Sequence, residues 1–351
     1  MTRESFQKFY KQKRILVTGA CGTVGFELIR QFLEQYPLTE LIAIDNNESE
    51  LFFLEQRFSK YKNARFFLAD IRDREKMVRL SKGIHILFHT AAYKHVILCE
   101  RSPFEAVQTN ILGVQNIISA AIENDLERVI FTSSDKAVNP TNVMGTSKLM
   151  AERLMTAANT NLRGNGPIFT STRFGNVLGS RGSVIPVFRE QIKQGGPVTL
   201  TDPRMTRFIM SIQEAVHLVI TSAFLACGGE VFITKMPVIR IKDLAGIMIN
   251  EMAAVYGYPS KKIKIEVIGP HPGEKMFEEL MNTEETRRAW ELDQYFVVLP
   301  AFQGIQRKIA YRYPGLVTKK VTNPYRSNNE PPLAEEQLSM FLKNNHLLEE
   351  E

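Results

Sequence analysis

Thr18-Gly19-Ala20-Cys21-Gly22-Thr23-Val24-Gly25 follows directly on the apolar run Ile15-Leu16-Val17 and leads into Phe26-Glu27-Leu28-Ile29-Arg30. A short buried strand, a glycine-rich turn and an amphipathic helix in succession make the opening of a unit that holds a dinucleotide. The glycines let the backbone turn sharply and approach a pyrophosphate, and the unpaired amides at the helix start face its charge. Gly19, Gly22, Thr23, Val24 and Gly25 are therefore the expected contacts. A glycine pattern alone is weak evidence. It gains force from Asp45, which ends the next apolar run twenty residues beyond Gly25. A carboxylate there accepts from both ribose hydroxyls and repels a 2′-phosphate, so NAD is expected rather than NADP.

Outward from that turn, short apolar runs at residues 15–18, 41–44, 65–68, 84–88, 128–132 and 168–172 alternate with helical patterns. Runs that are apolar on both faces and separated by crossovers imply a parallel sheet covered by helices on both sides. The expected fold is a Rossmann-type, doubly wound α/β domain with a smaller C-terminal lobe for substrate. Asp70 and Ile71 after the third run would meet the adenine, and Ala91 and Ala92 after the fourth would let the cofactor pass close to the backbone. Beyond residue 175 the rhythm gives way to loops rich in glycine and proline, a composition suited to wrapping a ligand.

The predicted NAD domain is 1–178, with a helix near 213–225 and a strand near 231–234 returning to it within 209–236. The lobe is 179–208 and 237–300, with a helix over 240–256, a strand over 263–267 and a further helix over 274–281. Residues 301–351 form a C-terminal extension ending in a short amphipathic helix.

Composition narrows the class. With 351 residues, 44% of them hydrophobic and 23% charged, the chain can bury a large core. Its net charge of +6 is spread along the sequence, which argues against a nucleic-acid partner. Cys21, Cys99 and Cys227 are too few and too far apart for a disulfide framework or a zinc site. His85, His89 and His95 match no ligand spacing, so no metal is expected. Residues 1–14 carry charges and no apolar run, and the apolar stretch 209–226 contains Gln213, Glu214 and His217. Neither reads as a signal peptide or a bilayer span, so a soluble, cytoplasmic protein is expected.

The reacting groups are expected in Ser133-Ser134-Asp135-Lys136, followed eight residues later by Met144-Gly145-Thr146-Ser147-Lys148. The cluster looks like the reaction centre of a nicotinamide enzyme in which methionine stands where a tyrosine is usual. A thioether has no proton to exchange, so the neighbouring carboxylate and amines must run the chemistry. Lys148 lies one helical turn after Met144 and faces the same way.

Taken in order, these pieces resemble the extended short-chain dehydrogenase/reductase superfamily. Residues 89–96 (His-Thr-Ala-Ala-Tyr-Lys-His-Val), 134–142, 173–180, 203–208 and 272–275 look more narrowly like the UDP-N-acetylglucosamine 4,6-dehydratases of polysaccharide biosynthesis, over about residues 12 to 285. The resemblance implies a UDP-N-acetylglucosamine substrate, a tightly bound NAD, and a homo-oligomer paired through the 103–123 and 144–158 helices. It implies that hydride leaves sugar position 4, water is lost across positions 5 and 6, and the hydride returns to position 6.

On the same footing, Lys136 would remove the position 5 proton. Asp135, helped by Ser134, would handle those of the 4- and 6-hydroxyls. Lys148 would bond the nicotinamide ribose, and Asn110 would steady the active-site backbone. Lys94, Asn176, Val177, Arg181, Ser183 and Pro186 would line the sugar side, with Arg207 on the diphosphate and Glu274 on the uridine ribose. His271 stands where relatives commonly have arginine, which weakens its phosphate contact. Met144 resembles the branch that retains configuration at position 5, so a configuration-retaining dehydratase is the expectation. The competing readings are an inverting 4,6-dehydratase, a UDP-sugar 4-epimerase and a non-catalytic NAD-binding regulator.

Overall fold

A computed structural model of the chain describes residues 2–161, 166–180, 183–269, 274–302 and 309–349. After a short helix α1 (Arg3–Tyr10), the run ahead of the glycine turn becomes β1 (Arg14–Thr18). Its alternate residues face opposite layers. Ile15 and Val17 pack with Leu28 and Phe32 on one side of the sheet, while Leu16 packs with Leu87, Val114 and Ile117 on the other. All of these side chains are essentially inaccessible, and each contributes about 1.5–3 kcal/mol through burial. A strand apolar on both faces can only sit inside a helix-covered parallel sheet.

The crossovers follow in order: α2 (Thr23–Gln35), β2 (Glu40–Asp45), α3 (Glu48–Arg57), β3 (Ala64–Leu68), α4 (Arg74–Leu80) and β4 (Ile86–His89). Then come α5 (Val96–Arg101), α6 (Pro103–Val107), a widened π turn at Gln108–Leu112, α7 (Gly113–Glu123), β5 (Arg128–Ser134), α8 (Val143–Asn161) and β6 (Ile168–Phe174). The six strands are parallel in the order β3-β2-β1-β4-β5-β6, in register such as Val17 beside Ala43 and Phe88. The order reverses between β1 and β4, and there the C-terminal strand ends part to leave a crevice.

The second half holds β7 (Asn176–Val177), α9 (Val184–Lys193), β8 (Val198–Leu200), β9 (Thr206–Met210), α10 (Ile212–Leu225), β10 (Val231–Thr234), β11 (Val238–Arg240), α11 (Ile241–Met252) and β12 (Ile265–Val267). It closes with β13 (Glu279–Met281), β14 (Ala289–Leu292), β15 (Tyr295–Val298), β16 (Leu316–Thr318), β17 (Tyr325–Arg326) and α12 (Glu335–Asn344). Helix α10 starts at Ser211, whose hydroxyl accepts from the Glu214 N–H while Glu214 accepts from the Ser211 N–H, a reciprocal cap that fixes where β9 ends. It delivers the chain to β10, which lies parallel to β6. A separate core of Ile185, Phe188, Ile192, Leu244, Met248 and Leu342 joins α9, α11 and α12.

Two expectations are corrected here. Residues 274–281 do not form a helix: the segment is a loop ending in β13, which pairs with β17. Its helical spacing yields to tertiary bonds, because the carbonyls of Lys275 and Met276 accept from the Arg207 guanidinium. Residues 289–298, read as part of the small lobe, instead extend the main sheet as antiparallel β15 and β14, with β16 beyond them. No helix among the described residues is long and apolar enough to cross a membrane.

Candidate active site

The crevice is built by backbone approach. Gly19 has φ +71°, and a Cβ on it would lie 2.6 Å from the Ala91 nitrogen, while one on Gly25 would collide with the Gly19 carbonyl. Only glycine fits either position. Gly22 precedes α2 with no side chain capping the helix, so its first amides are left for an anion. The Asp45 carboxylate accepts from the backbone N–H of Cys21 at 3.0 Å and of Asn47 at 3.0 Å. This clamps the acid at the end of β2 beside the glycine turn. These residues fit a dinucleotide. Thr23 and Val24 form the first turn of α2.

Asp70 lies just beyond the end of β3. Its carboxylate is forked onto Arg72, with Nη2 at 2.6 Å, and that bond and the turn amide hold it below the usual carboxylate range despite partial burial. Ile71 is buried beside it. Ala91 and Ala92 follow β4 next to Gly19.

Asn110 sits on the π turn. Its Oδ1 accepts from the Tyr93 N–H at 2.8 Å, and its Nδ2 donates to the Tyr93 carbonyl at 3.0 Å and to Ser147 Oγ at 2.9 Å. A widened turn at this point is a common sign of a functional helix, and here it ties the loop after β4 to α8. Lys94 is exposed on that loop.

The C-terminal end of β5 carries Ser134 and leads into Asp135 and Lys136. Lys136 Nζ donates to both Asp135 oxygens, at 3.2 and 3.1 Å; the carboxylate is buried and the ammonium is about one-third exposed. Ser134 Oγ accepts from the Lys136 N–H at 3.1 Å and so shapes the turn. Burial lowers the affinity of Lys136 for its proton, but the Asp135 and Glu278 carboxyls outweigh it and the amine is held above its ordinary value. This amine is therefore not tuned towards neutral pH.

Lys148 is fully enclosed. It donates to the Thr132 carbonyl at 3.0 Å and lies 4.7 Å over the Phe131 ring, and burial pushes it down to about 8. His89 is buried at the end of β4, its Nδ1 2.7 Å from Thr18 Oγ1. Desolvation and the nearby Lys148 charge take it to about 3, so its ring is neutral. Met144 is buried among Cys99, Ala106, Val96 and Val143. It fills a core.

From the lobe, Arg207 on β9 donates to the carbonyls of Thr206, Lys275 and Met276, and its guanidinium stands 3.7 Å from Glu274 and 3.5 Å from Glu278. Asn176 and Val177 lie on β7, parallel to β9 and opposite Ile209 and Met210. Ser183 precedes α9 and Pro186 lies in its first turn. Arg181 and His271 lie outside the described residues. Lys275 Nζ donates to the Val138 carbonyl at 2.7 Å, and Asn139 Nδ2 to Glu279 at 2.6 Å, so the 275–281 segment is fastened to the Asp135–Lys136 turn.

Glu278 was not singled out from the sequence. It is buried, it accepts from the Phe208 N–H at 3.1 Å, and desolvation and the Asp135 charge raise it to about 8. The one signal available was an acid set between Met276-Phe277 and Leu280-Met281. Among the described residues no group of three or more histidines, cysteines or acids is arranged to hold a metal ion.

The family described as polysaccharide biosynthesis protein matches residues 15–300. An uncharacterized membrane protein of Methanocaldococcus jannaschii is 50% identical over 297 residues, covering 85% of this chain and 89% of its own. The probable polysaccharide biosynthesis protein EpsC of Bacillus subtilis is 44% identical over 78% of this chain, which spans 46% of EpsC's length. An inverting UDP-N-acetylglucosamine 4,6-dehydratase of Campylobacter jejuni is 34% identical over 93% of this chain and 96% of that enzyme. A UDP-glucose 4-epimerase of Rickettsia bellii is 36% identical over 97% and 98%. The crystal structure of Pen from Bacillus thuringiensis, 40% identical, superimposes with a TM-score of 0.89 over 97% of this chain and 99% of that one.

The expectation of a configuration-retaining enzyme is thereby corrected, because the Campylobacter relative that aligns over nearly the whole chain is an inverting one. The physical reason lies at Met144. A thioether packed against Cys99 and Ala106 moves no proton, so it cannot decide which face of a sugar carbon is reprotonated.

Proposed function

The chain belongs to the polysaccharide biosynthesis protein family, and on that premise we propose that it is an NAD-dependent UDP-N-acetylglucosamine 4,6-dehydratase that inverts position 5 of the sugar. The observation that carries this reading is the Asp135–Lys136 couple, a carboxylate and an amine 3.1 Å apart. It stands at the end of the strand next to the dinucleotide crevice and is fastened to the lobe that holds Arg207 and Glu274. The inverting Campylobacter relative supports the stereochemistry.

The helix start at Gly22–Gly25, the Asp45 clamp, Ala91, Ala92 and Lys148 would hold NAD, which supplies reversible hydride acceptance when bound. The chain's own groups handle protons. Asp135 accepts the 4-hydroxyl proton as the ketone forms and returns it to the departing 6-hydroxyl, so one carboxyl serves both steps. The ketone acidifies the neighbouring hydrogen, and the Lys136 amine removes it. Inversion then requires that position 5 receive its proton on the opposite face. Arg207 bears on the diphosphate and Glu274 on the uridine ribose. No reductant is consumed.

A 4-epimerase is the second reading, favoured by the Rickettsia relative. Purified protein incubated with UDP-N-acetylglucosamine and no added cofactor is expected to give a product lighter by one water, with the position 5 configuration inverted in its proton NMR couplings. An isomer of unchanged mass overturns dehydration in favour of epimerisation, and a dehydrated product with retained couplings overturns inversion.

A further inference from the structure

Glu279 takes no part in the proton transfers just described, yet its carboxylate joins the turn that performs them to the far end of the chain. That turn is short. The Val138 N–H donates back to the Asp135 carbonyl at 3.1 Å, and Asn139 then enters the left-handed region at φ +44°. Asparagine tolerates this conformation better than most residues, though not freely. Two contacts from the 275–281 segment hold the exit of the turn. Lys275 Nζ donates to the Val138 carbonyl at 2.7 Å, and Asn139 Nδ2 donates to Glu279 Oε2 at 2.6 Å. One bond alone would let the turn pivot, whereas two on neighbouring residues fix its orientation.

Glu279 is itself set from the other side. It is buried, it stands opposite Arg326 where β13 pairs with β17, and its Oε1 accepts from Arg326 Nε at 2.6 Å. Each carboxylate oxygen thus has its own donor, and bonds to an ionised acceptor are short and strong. The next residue, Ser327, is inaccessible. Its Oγ donates to the Thr206 carbonyl at 3.2 Å and its N–H to the Glu278 carbonyl at 2.9 Å. Thr206 precedes Arg207 on β9. Arg326 and Ser327 therefore brace, through Glu279, the turn meant for the sugar and, through Thr206, the strand meant for the diphosphate.

We propose that Glu279 is a positioning residue for the reaction: it holds the Asp135–Lys136 turn in one orientation relative to the lobe, so that carboxyl and amine meet a sugar whose diphosphate is anchored on β9. This role rests on the proposed function. Loss of the bond to Asn139 leaves β13 in place, because Leu280 and Met281 are inaccessible in the core. The Tyr325 hydroxyl also accepts from the Met236 N–H and donates to the Met236 carbonyl, which keeps β17 seated. The defect then falls on chemistry, where small displacements of reacting groups are costly.

Reversing the bond gives the test. Glu279→Gln offers one oxygen to two donors, and Asn139→Asp sets two carboxylates against each other. Either alone should lower kcat for UDP-N-acetylglucosamine by about ten- to a hundredfold, with KM and calorimetric UDP affinity nearly unchanged. Combining Asn139→Asp with Glu279→Gln restores both the charge and the bond, since the new amide donates to the new carboxylate while its oxygen still accepts from Arg326. The pair should recover most of the lost kcat. Amide hydrogen exchange over residues 135–139 should quicken in each single variant and slow again in the pair. Should a charged variant not fold, Asn139→Gly keeps the left-handed backbone, removes the amide and gives the same comparison of kcat with KM. Unchanged kcat in the single variants overturns the role of Glu279, as does a pair whose defect is the product of the two single ones. UDP affinity that falls in step with kcat overturns it too, because a role in folding alone gives that result. Failure of the unmodified protein to turn over UDP-N-acetylglucosamine overturns the proposed function together with this inference, whereas every other outcome bears on Glu279 alone.

Discussion

A carboxylate and an amine on consecutive residues do different work depending on what surrounds them. Asp135 is buried beneath Lys136, and methionine rather than tyrosine stands four residues before Lys148. Replacing it with asparagine should lower kcat by about 10²- to 10⁴-fold while leaving UDP affinity intact, measured by steady-state kinetics beside calorimetry. Lys136→Ala should bind UDP-N-acetylglucosamine normally and lose incorporation of solvent deuterium at position 5, followed by NMR. Exchange at the unmodified rate would mean that another group is the base. The sequence singled out both residues because their types and spacing are chemical in themselves. It did not identify Glu278, whose buried place beside Arg207 and the Phe208 amide has no one-dimensional signature. Met144 shows the converse: its position was legible, but the stereochemistry attached to it was not, because its surroundings make it a packing group.

At the level of elements, the inner strands such as β1, β4, β5 and β6 were readable because both their faces are buried, while β3 is a partly exposed edge, and a short continuous apolar run between turns suits a sheet interior. The segment 274–281 was misread because Glu274, Phe277, Glu278 and Met281 keep a helical interval, while the bonds that hold it extended come from Arg207 and from β17. Helix α8 is set against the catalytic turn at Gly145, where a Cβ would meet the Lys136 carbonyl and Pro140. Gly145→Ala should therefore push the turn away from Lys148. A fall in kcat on the order of ten- to a hundredfold is expected, with KM nearly unchanged, since small displacements of positioned groups are costly. Circular dichroism should be unaltered.

Across the whole molecule, Arg173 joins three parts of the fold. It is inaccessible, it donates to Glu152 on α8 at 2.6 Å and to Glu285 beyond β13 at 2.8 Å, and it also bonds the Leu280 carbonyl. Although burial opposes its charge, the two carboxylates hold its proton firmly. Arg173→Ala would leave two buried acids uncompensated and should cost about 3–5 kcal/mol in urea unfolding. The opposite face of α8, with α5 and α6, leaves Ile97, Leu98, Phe104, Val107 and Met150 exposed. An apolar surface of this kind on adjacent helices suits a second copy of the chain. Phe104→Asp should shift the sedimentation coefficient towards that of a monomer, and an unchanged value would place the contact elsewhere.

The pairing of β13 with β17 makes the last part of the chain a buckle. Residues 325 and 326 lie far downstream of every group that would touch NAD or sugar, yet they latch the strand that follows Glu278. A protease that clipped the polypeptide between the outer sheet strands and this latch would leave the coenzyme cradle whole. Such a nicked enzyme should keep its dinucleotide and lose its turnover, so that wear at the periphery silences the centre without emptying it.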